Sequence, residues 1–183
     1  VALVVITGGS RSGKSRTAIE IALRQPQPVH FLATAEARDE EMARRIARHR
    51  DERPASWTTI EEPVLLAPAL SRVPSEHCLV IDCLTLWTSN ALETLSPVEV
   101  EQQSRDAARL AKDRVGRTIV VTNEVGLGVV PDNPLARTYV DLLGRVNTSW
   151  AEVADRMILM VAGRIVPLAP RTSVEGYLDD LAH

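Results

Sequence analysis

The sequence predicts an α/β fold of three layers, a mostly parallel sheet held between two layers of helices, with an antiparallel strand at its C-terminal edge. Three observations predict it. Short apolar runs alternate with longer amphipathic stretches along the 183 residues, the pattern of repeated β-α-β units. The core material is aliphatic: 45% of residues are apolar but only 3% aromatic, which suits strands covered by helices on both faces. A glycine-rich turn joins the first apolar run to the first amphipathic stretch. With no internal repeat, low-complexity tract or Ser/Gly linker, residues 1–183 are expected to form a single domain.

The elements follow in order. Ala2 to Ile6 reads as a fully buried first strand, and a helix from Lys14 to Arg24 follows the glycine-rich turn. Pro28 to Ala33 reads as a second strand. Asp39, Glu40 and Glu41 open a helix to Glu52, with negative charge at its positive dipole end. Trp57 to Glu61 is a short strand, and Cys78 to Asp82 a buried strand with an acid at its end, followed by a helix over Leu84 to Leu92. Ser96, Pro97 and Glu99 form a helix start, with Ser as cap, Pro first and Glu in the capping-box position; that helix runs to Val115. Arg117 to Thr122 is a further strand. Asn133 and Pro134 start a long helix carrying Leu135, Tyr139, Leu142, Val146 and Trp150 at helical spacing. Met157 to Val161 and Ile165 to Leu168, joined at Gly163 and Arg164, read as a late strand and a short final one. The last dozen residues carry no strong signal.

Charge and composition exclude several functions. A net charge of −3 provides no global basic field for a nucleic-acid backbone, and the few aromatic rings argue against a single-strand stacking platform. No apolar run approaches the ~20 residues of a membrane span, and no charged-then-apolar signal peptide opens the sequence. Cys78 and Cys83 share one apolar segment with no metal-ligand spacing. They read as two buried thiols of a cytoplasmic protein, a disulfide being the alternative.

The turn after the first strand is more specific. Gly8, Gly9, Ser10, Arg11, Ser12, Gly13, Lys14 and Ser15 fit G-x-x-x-x-G-K-[ST] at every defined position, between a strand and a helix as that motif requires. Glycines let backbone N–H groups turn toward phosphate oxygens, and the helix N-terminus adds a positive dipole end. Lys14 can reach the β- and γ-phosphates, and the Ser15 hydroxyl can ligate magnesium. The fold is thus expected to be that of the phosphate-loop NTPases. Asp82, ending a neighbouring strand, is placed to hold magnesium or its water shell; capping the next helix is the other reading. Glu61 and Glu62 also follow a strand, as a site pair or a solvated one.

On the helix from Asp39 to Glu52, Met42, Ile46 and His49 fall within about 60° of one another at ~100° per residue. His49 therefore lies on the inward face, while Arg44, Arg48 and Arg50 are expected to point elsewhere. It is either a half-buried histidine making one hydrogen bond or a nucleophile that attacks phosphorus, with Arg50 and Arg53 to neutralise an anionic intermediate.

Several segments together resemble a known family. They are Thr7 to Arg16; Ala33, Thr34 and Ala35 after the second strand; Asp39 to Met42 through Arg45 and Ile46 to His49, Arg50, Asp51, Arg53, Pro54 and Trp57; the run Val121 to Pro131; and Asn133, Leu135 to Arg137 and Gly144 to Asn147. The sequence is similar, over residues 3–162, to the bifunctional adenosylcobinamide kinase / adenosylcobinamide-phosphate guanylyltransferase family of cobalamin biosynthesis. The phosphate loop alone is generic; the Thr-Asn-Glu-Val-Gly run with the histidine segment is specific.

The resemblance implies GTP and ATP as substrates, Mg2+ as cofactor, and adenosylcobinamide and its phosphate as acceptors. It makes His49 the covalent GMP carrier, with Lys14 as the second catalytic residue. It places the nucleotide on the phosphate loop, on Ala33, Thr34 and Ala35, on Arg50, Asp51, Glu52 and Arg53, and on Glu61 and Asp82. It also implies a homo-oligomer, a trimer. Glu124 is a candidate base for the cobinamide hydroxyl, with loop-fixing hydrogen bonds as the alternative. Two other functions stay open on the residues themselves. In a small-molecule kinase without guanylylation, His49 would be structural. A nucleotide-dependent switch would need order–disorder loops.

Overall fold

The structure, a computed structural model, describes residues 2–170. Seven strands form one sheet. In chain order the elements are β1 (Leu3–Gly8), α1 (Lys14–Ala22), β2 (Val29–Ala33), α2 (Glu40–Asp51), β3 (Thr58–Glu61), α3 (Leu66–Ser71), β4 (Cys78–Asp82), α4 (Leu84–Ala91), α5 (Pro97–Lys112), β5 (Thr118–Val121), α6 (Pro134–Val153), β6 (Arg156–Val161) and β7 (Arg164–Leu168). The strand order is β3-β2-β4-β5-β1-β6-β7. Every neighbouring pair is parallel except β6 and β7, which run antiparallel. The three-layer α/β expectation, with its antiparallel C-terminal edge, is the architecture found. The final dozen residues lie outside the described range.

The alternation of side chains along each strand divides the core in two. Leu3, Val5, Leu32, Leu79, Ile81 and Val120 face one side, under α3, α4, α5 and α6. Val4, Ile6, Val29, Phe31, Cys78, Val80, Ile119 and Val121 face the other, with Ala18 and Ala22 of α1. Both sides of the central strands are covered, which is why these segments are apolar without a break rather than alternating. Trp87 of α4 and Trp150 of α6 are fully buried in the first layer. Their indole N–H groups donate to Val64 O (2.8 Å) and Ser104 Oγ (3.2 Å), so neither ring buries an unpaired donor.

Local signals set the helix starts. Asp39 accepts the Met42 N–H at 2.7 Å, capping α2. Ser96 and Glu99 form the reciprocal capping box of α5, with Pro97 first in the helix. Asn133 accepts the Leu135 N–H at 2.8 Å before Pro134 opens α6. The helix α1 ends at Ala22 and α5 at Lys112, each two or three residues before the expected ends. Cys78 and Cys83 are both free and buried; burial pushes each thiol up to about 11, so neither is a thiolate nucleophile near neutral pH.

Candidate active site

Most of the expected site residues lie outside the carboxyl ends of the parallel strands, where open α/β sheets bind ligands. The loop from Gly9 to Gly13 leaves β1 and enters α1. Gly8 has φ of 143°, and a Cβ there would stand 2.3 Å from the Met160 carbonyl oxygen of β6. Gly13, at φ of 99°, is the N-terminal cap of α1. Arg11 takes a left-handed φ of 56° at the loop tip. From behind, the β6–β7 turn braces the loop: the Gly163 N–H donates to Ser12 O at 3.1 Å.

Lys14 is only 7% exposed, and its ammonium donates to Gly9 O at 2.6 Å. Burial lowers its pKa, while the nearby Asp82 carboxylate acts in the opposite direction. Asp82, at the end of β4, hydrogen-bonds Ser15 and feels the charges of His49, Lys14 and Arg45; burial in the cleft floor outweighs them and raises its pKa. Asp82 does not cap α4, whose N-cap is Cys83 with no side-chain cap bond.

The helix α2 forms the opposite wall. None of its residues is buried, and Met42, Ile46 and His49 are its half-buried positions, the stripe expected from the sequence. A cleft of about 510 Å³ is lined by Ser10 to Arg16, by Glu41, Arg44, Arg45, Arg48, His49 and Glu52 of α2 and its C-cap, and by Asp82, Cys83, Val121 and Asn123. A smaller cavity of about 70 Å³ adjoins it, lined by Ser15, Phe31, Ala33, Ala35, Met42, Arg45, Ile46, His49, Arg53, Asp82, Cys83 and Leu86. His49 lines both. Arg44 and Arg48 do not point away, as expected, but into the larger cleft. The apolar stripe of α2 faces the smaller cavity and turns its basic flank toward the phosphate loop.

The other expected residues divide into groups. Arg53 reaches the smaller cavity: its guanidinium lies 4.0 Å over the Phe31 ring, and its Nε donates to His49 O at 2.8 Å. Burial, then the neighbouring Arg50 charge, lowers its pKa. Arg50 and Glu61 form an ion pair with each other and line neither cavity. Asp51 is exposed and lines neither. Thr34 is 0% exposed, between Ala33 and Ala35. Its hydroxyl donates to Cys83 O and accepts from Cys83 N–H, both at 2.8 Å, so it ties the end of β2 to the end of β4. Among residues not weighed beforehand, Arg45 lines both cavities. Glu124 holds its own loop, accepting the Gly126 N–H at 3.0 Å.

A wall built on a phosphate-loop motif, facing a wall that carries an imidazole, belongs to a phosphate-loop nucleotide-binding protein with a candidate second reaction centre. Over residues 4–168 the sequence matches the family described as cobinamide kinase / cobinamide phosphate guanyltransferase, and the chain belongs to that family. It is 45% identical over 165 residues to the bifunctional adenosylcobalamin biosynthesis protein CobP of Pseudomonas aeruginosa, covering 90% of this chain and 95% of that one. It is 37% identical to the bifunctional adenosylcobalamin biosynthesis protein CobU of Salmonella typhimurium, covering 88% of this chain and 96% of that one. A type III secretion system ATPase shares the fold, with a TM-score of 0.56 and 14% identity over 87% of this chain; the match spans about half of that protein, 52%.

Proposed function

We propose that the chain phosphorylates adenosylcobinamide with ATP or GTP, then moves GMP from GTP through a histidine–GMP intermediate onto adenosylcobinamide phosphate, giving adenosylcobinamide-GDP. The observation that carries this reading is that His49 and Lys14 line one cleft. In a kinase alone this histidine would be structural; in a guanylyltransferase an imidazole on the wall facing the phosphate loop is the nucleophile.

In the kinase step the aminopropanol hydroxyl oxygen attacks the γ-phosphorus. The bond to the β–γ bridging oxygen breaks, the nucleoside diphosphate leaves, and the hydroxyl proton passes to solvent. Such a transfer needs positioning and neutralised charge more than covalent chemistry. Loop amides and Lys14 supply both. Ser15 and Asp82 offer two hard oxygen donors in hydrogen-bond contact, a set that fits magnesium completed by phosphates and water. When bound, magnesium would neutralise phosphate charge there.

In the guanylyltransferase step an imidazole nitrogen of His49 attacks the α-phosphorus and pyrophosphate leaves with the bond's electron pair. The ring loses its other proton to solvent. The phosphoramidate then yields GMP to the phosphate oxygen of the acceptor; the P–N bond breaks as the ring takes a proton back from solvent, regenerating the imidazole. Arg53, bonded to the His49 carbonyl, positions the end of α2 and supplies charge.

The same reading takes the chain as one catalytic domain and a cytoplasmic protein, working as a homotrimer. No described helix is long and apolar enough to cross a membrane. The test is GTP labelled at the α-phosphate. The protein should acquire an acid-labile label, absent in His49→Ala, while His49→Ala keeps at least part of its kinase activity. An active kinase that never takes up label would overturn the guanylyltransferase half. Equal loss of both activities in a folded His49→Ala would overturn the division of labour.

A further inference from the structure

The basic flank of α2 carries more charge than a nucleophile needs, and its residues are not equivalent. At about 100° per residue, Met42, Ile46 and the following Arg53 share one azimuth, and Glu41, Arg48 and Glu52 another. Arg45 and His49 fall between the two, about 40° apart and one turn from each other. That position explains why these two residues of α2 line both cavities. It places the Arg45 guanidinium beside the nucleophile, on the side of the phosphate loop.

Three of the neighbouring guanidinium groups are engaged; Arg48, like Arg45, is in no ion pair among the described residues, but it lines only the larger cleft. Arg44 pairs with Glu40 at 3.5 Å, Arg50 with Glu61, and Arg53 bonds the His49 carbonyl. Arg45 is exposed to the cleft, and among the described residues no carboxylate pairs with it. Its charge is nonetheless felt at the two groups that define the phosphate site, opposing protonation of both Lys14 and Asp82. An uncommitted guanidinium over a phosphate loop has one natural partner, an anion larger than a carboxylate.

We propose that Arg45 is a catalytic residue of the guanylyl transfer, binding the β- and γ-phosphates of GTP and stabilising the pyrophosphate as it leaves. This inference rests on the reading of His49 as the GMP carrier. As the His49 nitrogen bonds to the α-phosphorus, the α–β bridging P–O bond breaks and negative charge accumulates on the departing pyrophosphate. A planar guanidinium forks across two such oxygens; an ammonium cannot. Lys14 meets the same phosphates from the loop side, so the leaving group is gripped from both walls. Arg45 thus acts as an arginine finger supplied by the chain itself.

The experiment is single-turnover labelling by α-labelled GTP at saturating nucleotide, in the full chain with Arg45→Gln and Arg45→Lys. Both substitutions keep a good helix former at an exposed position, so helical circular dichroism should match the wild type. For Arg45→Gln the labelling rate constant should fall about 100-fold, with the GTP dissociation constant changed less than about tenfold. Arg45→Lys should fall between it and the wild type. Millimolar guanidinium should restore part of the Arg45→Gln rate, a rescue that a purely structural loss would not show. A wild-type rate at saturation in Arg45→Gln would overturn the proposal, whether or not GTP binding weakens. If the wild type itself takes no label, the reading of His49 fails, and that result is separate from any effect at Arg45.

Discussion

Asp155 closes the end of the sheet opposite the phosphate loop. Its carboxylate accepts the N–H groups of Ala2 (2.8 Å) and Leu3 (2.9 Å) and the ammonium of Lys112. The Lys112 bond first, then the Leu3 N–H, holds its pKa well below the usual carboxylate range. A depressed folded-state value gives stability that is present above the unfolded pKa, about 4, and lost as pH falls through the folded value. Asp155→Asn should therefore cost about 1–2 kcal/mol in urea unfolding at pH 7, and less as the pH is lowered below about 4. Equal costs at pH 7 and pH 3 would contradict this assignment. Asp155 was not legible in the sequence, because its partners lie 152 and 153 positions away. Thr34 was legible only as part of a resemblance. Its role, locked onto both backbone groups of Cys83, depends on two strand ends that the sequence does not show to be neighbours. Gly8, Gly13, Lys14 and Asp82 were legible, because each belongs to a short motif or to the end of a recognisable buried strand.

Among the helices, α2 is the weakest anchored. It has no fully buried residue, whereas α5 buries Val100, Ser104, Ala107, Ala108 and Ala111, and α6 buries Leu142, Leu143, Val146, Asn147 and Trp150. Few buried contacts mean a low free energy of local opening. Amide hydrogen exchange should therefore be faster across α2 than across α5 and α6, and GTP should slow it by giving the helix a ligand to close on. Uniform protection of the three helices without nucleotide would refute this. The stripe of Met42, Ile46 and His49 was readable from period alone. The cleft-facing flank was not, because the sequence shows where apolar side chains recur, not which cavity lies beside them. That gap hid Arg45 and misplaced Arg44 and Arg48. The helix α3 went unseen for another reason: Leu66 to Ser71 spans six residues with a proline inside, too short for any period to emerge. Its helical form comes from the burial of Leu66, Ala69 and Leu70 under α5.

Among the described residues, the loop before α6 exposes a run of apolar side chains. Leu127 is 86% exposed and Val129 96%, with Val130 beside them and Leu135 at the start of α6. The segment from Val125 to Pro131 borders a cavity of about 730 Å³ along α5 and α6. Contiguous apolar surface of this kind marks an association face. If the proposed homotrimer forms through this face, Val129→Glu should shift sedimentation toward the monomer and leave the circular dichroism unchanged. A Val129→Glu protein that stays trimeric would place the interface elsewhere.

The brace behind the phosphate loop concerns timing as well as shape. Thr17 of α1 donates to the sulfur of Met160, 143 positions later in the chain, and Ser12 is held by Gly163 beyond that. On the ribosome, residues 8–15 emerge early and wait. Their turn acquires its backing only when the hairpin of β6 and β7 has left the exit tunnel. Nucleotide can therefore stabilise the finished protein but cannot guide the emerging half of it, since a ligand favours only the state that binds it. Synthesis that stops short of Met160 should leave a chain with its motif written out in full and no grip on GTP.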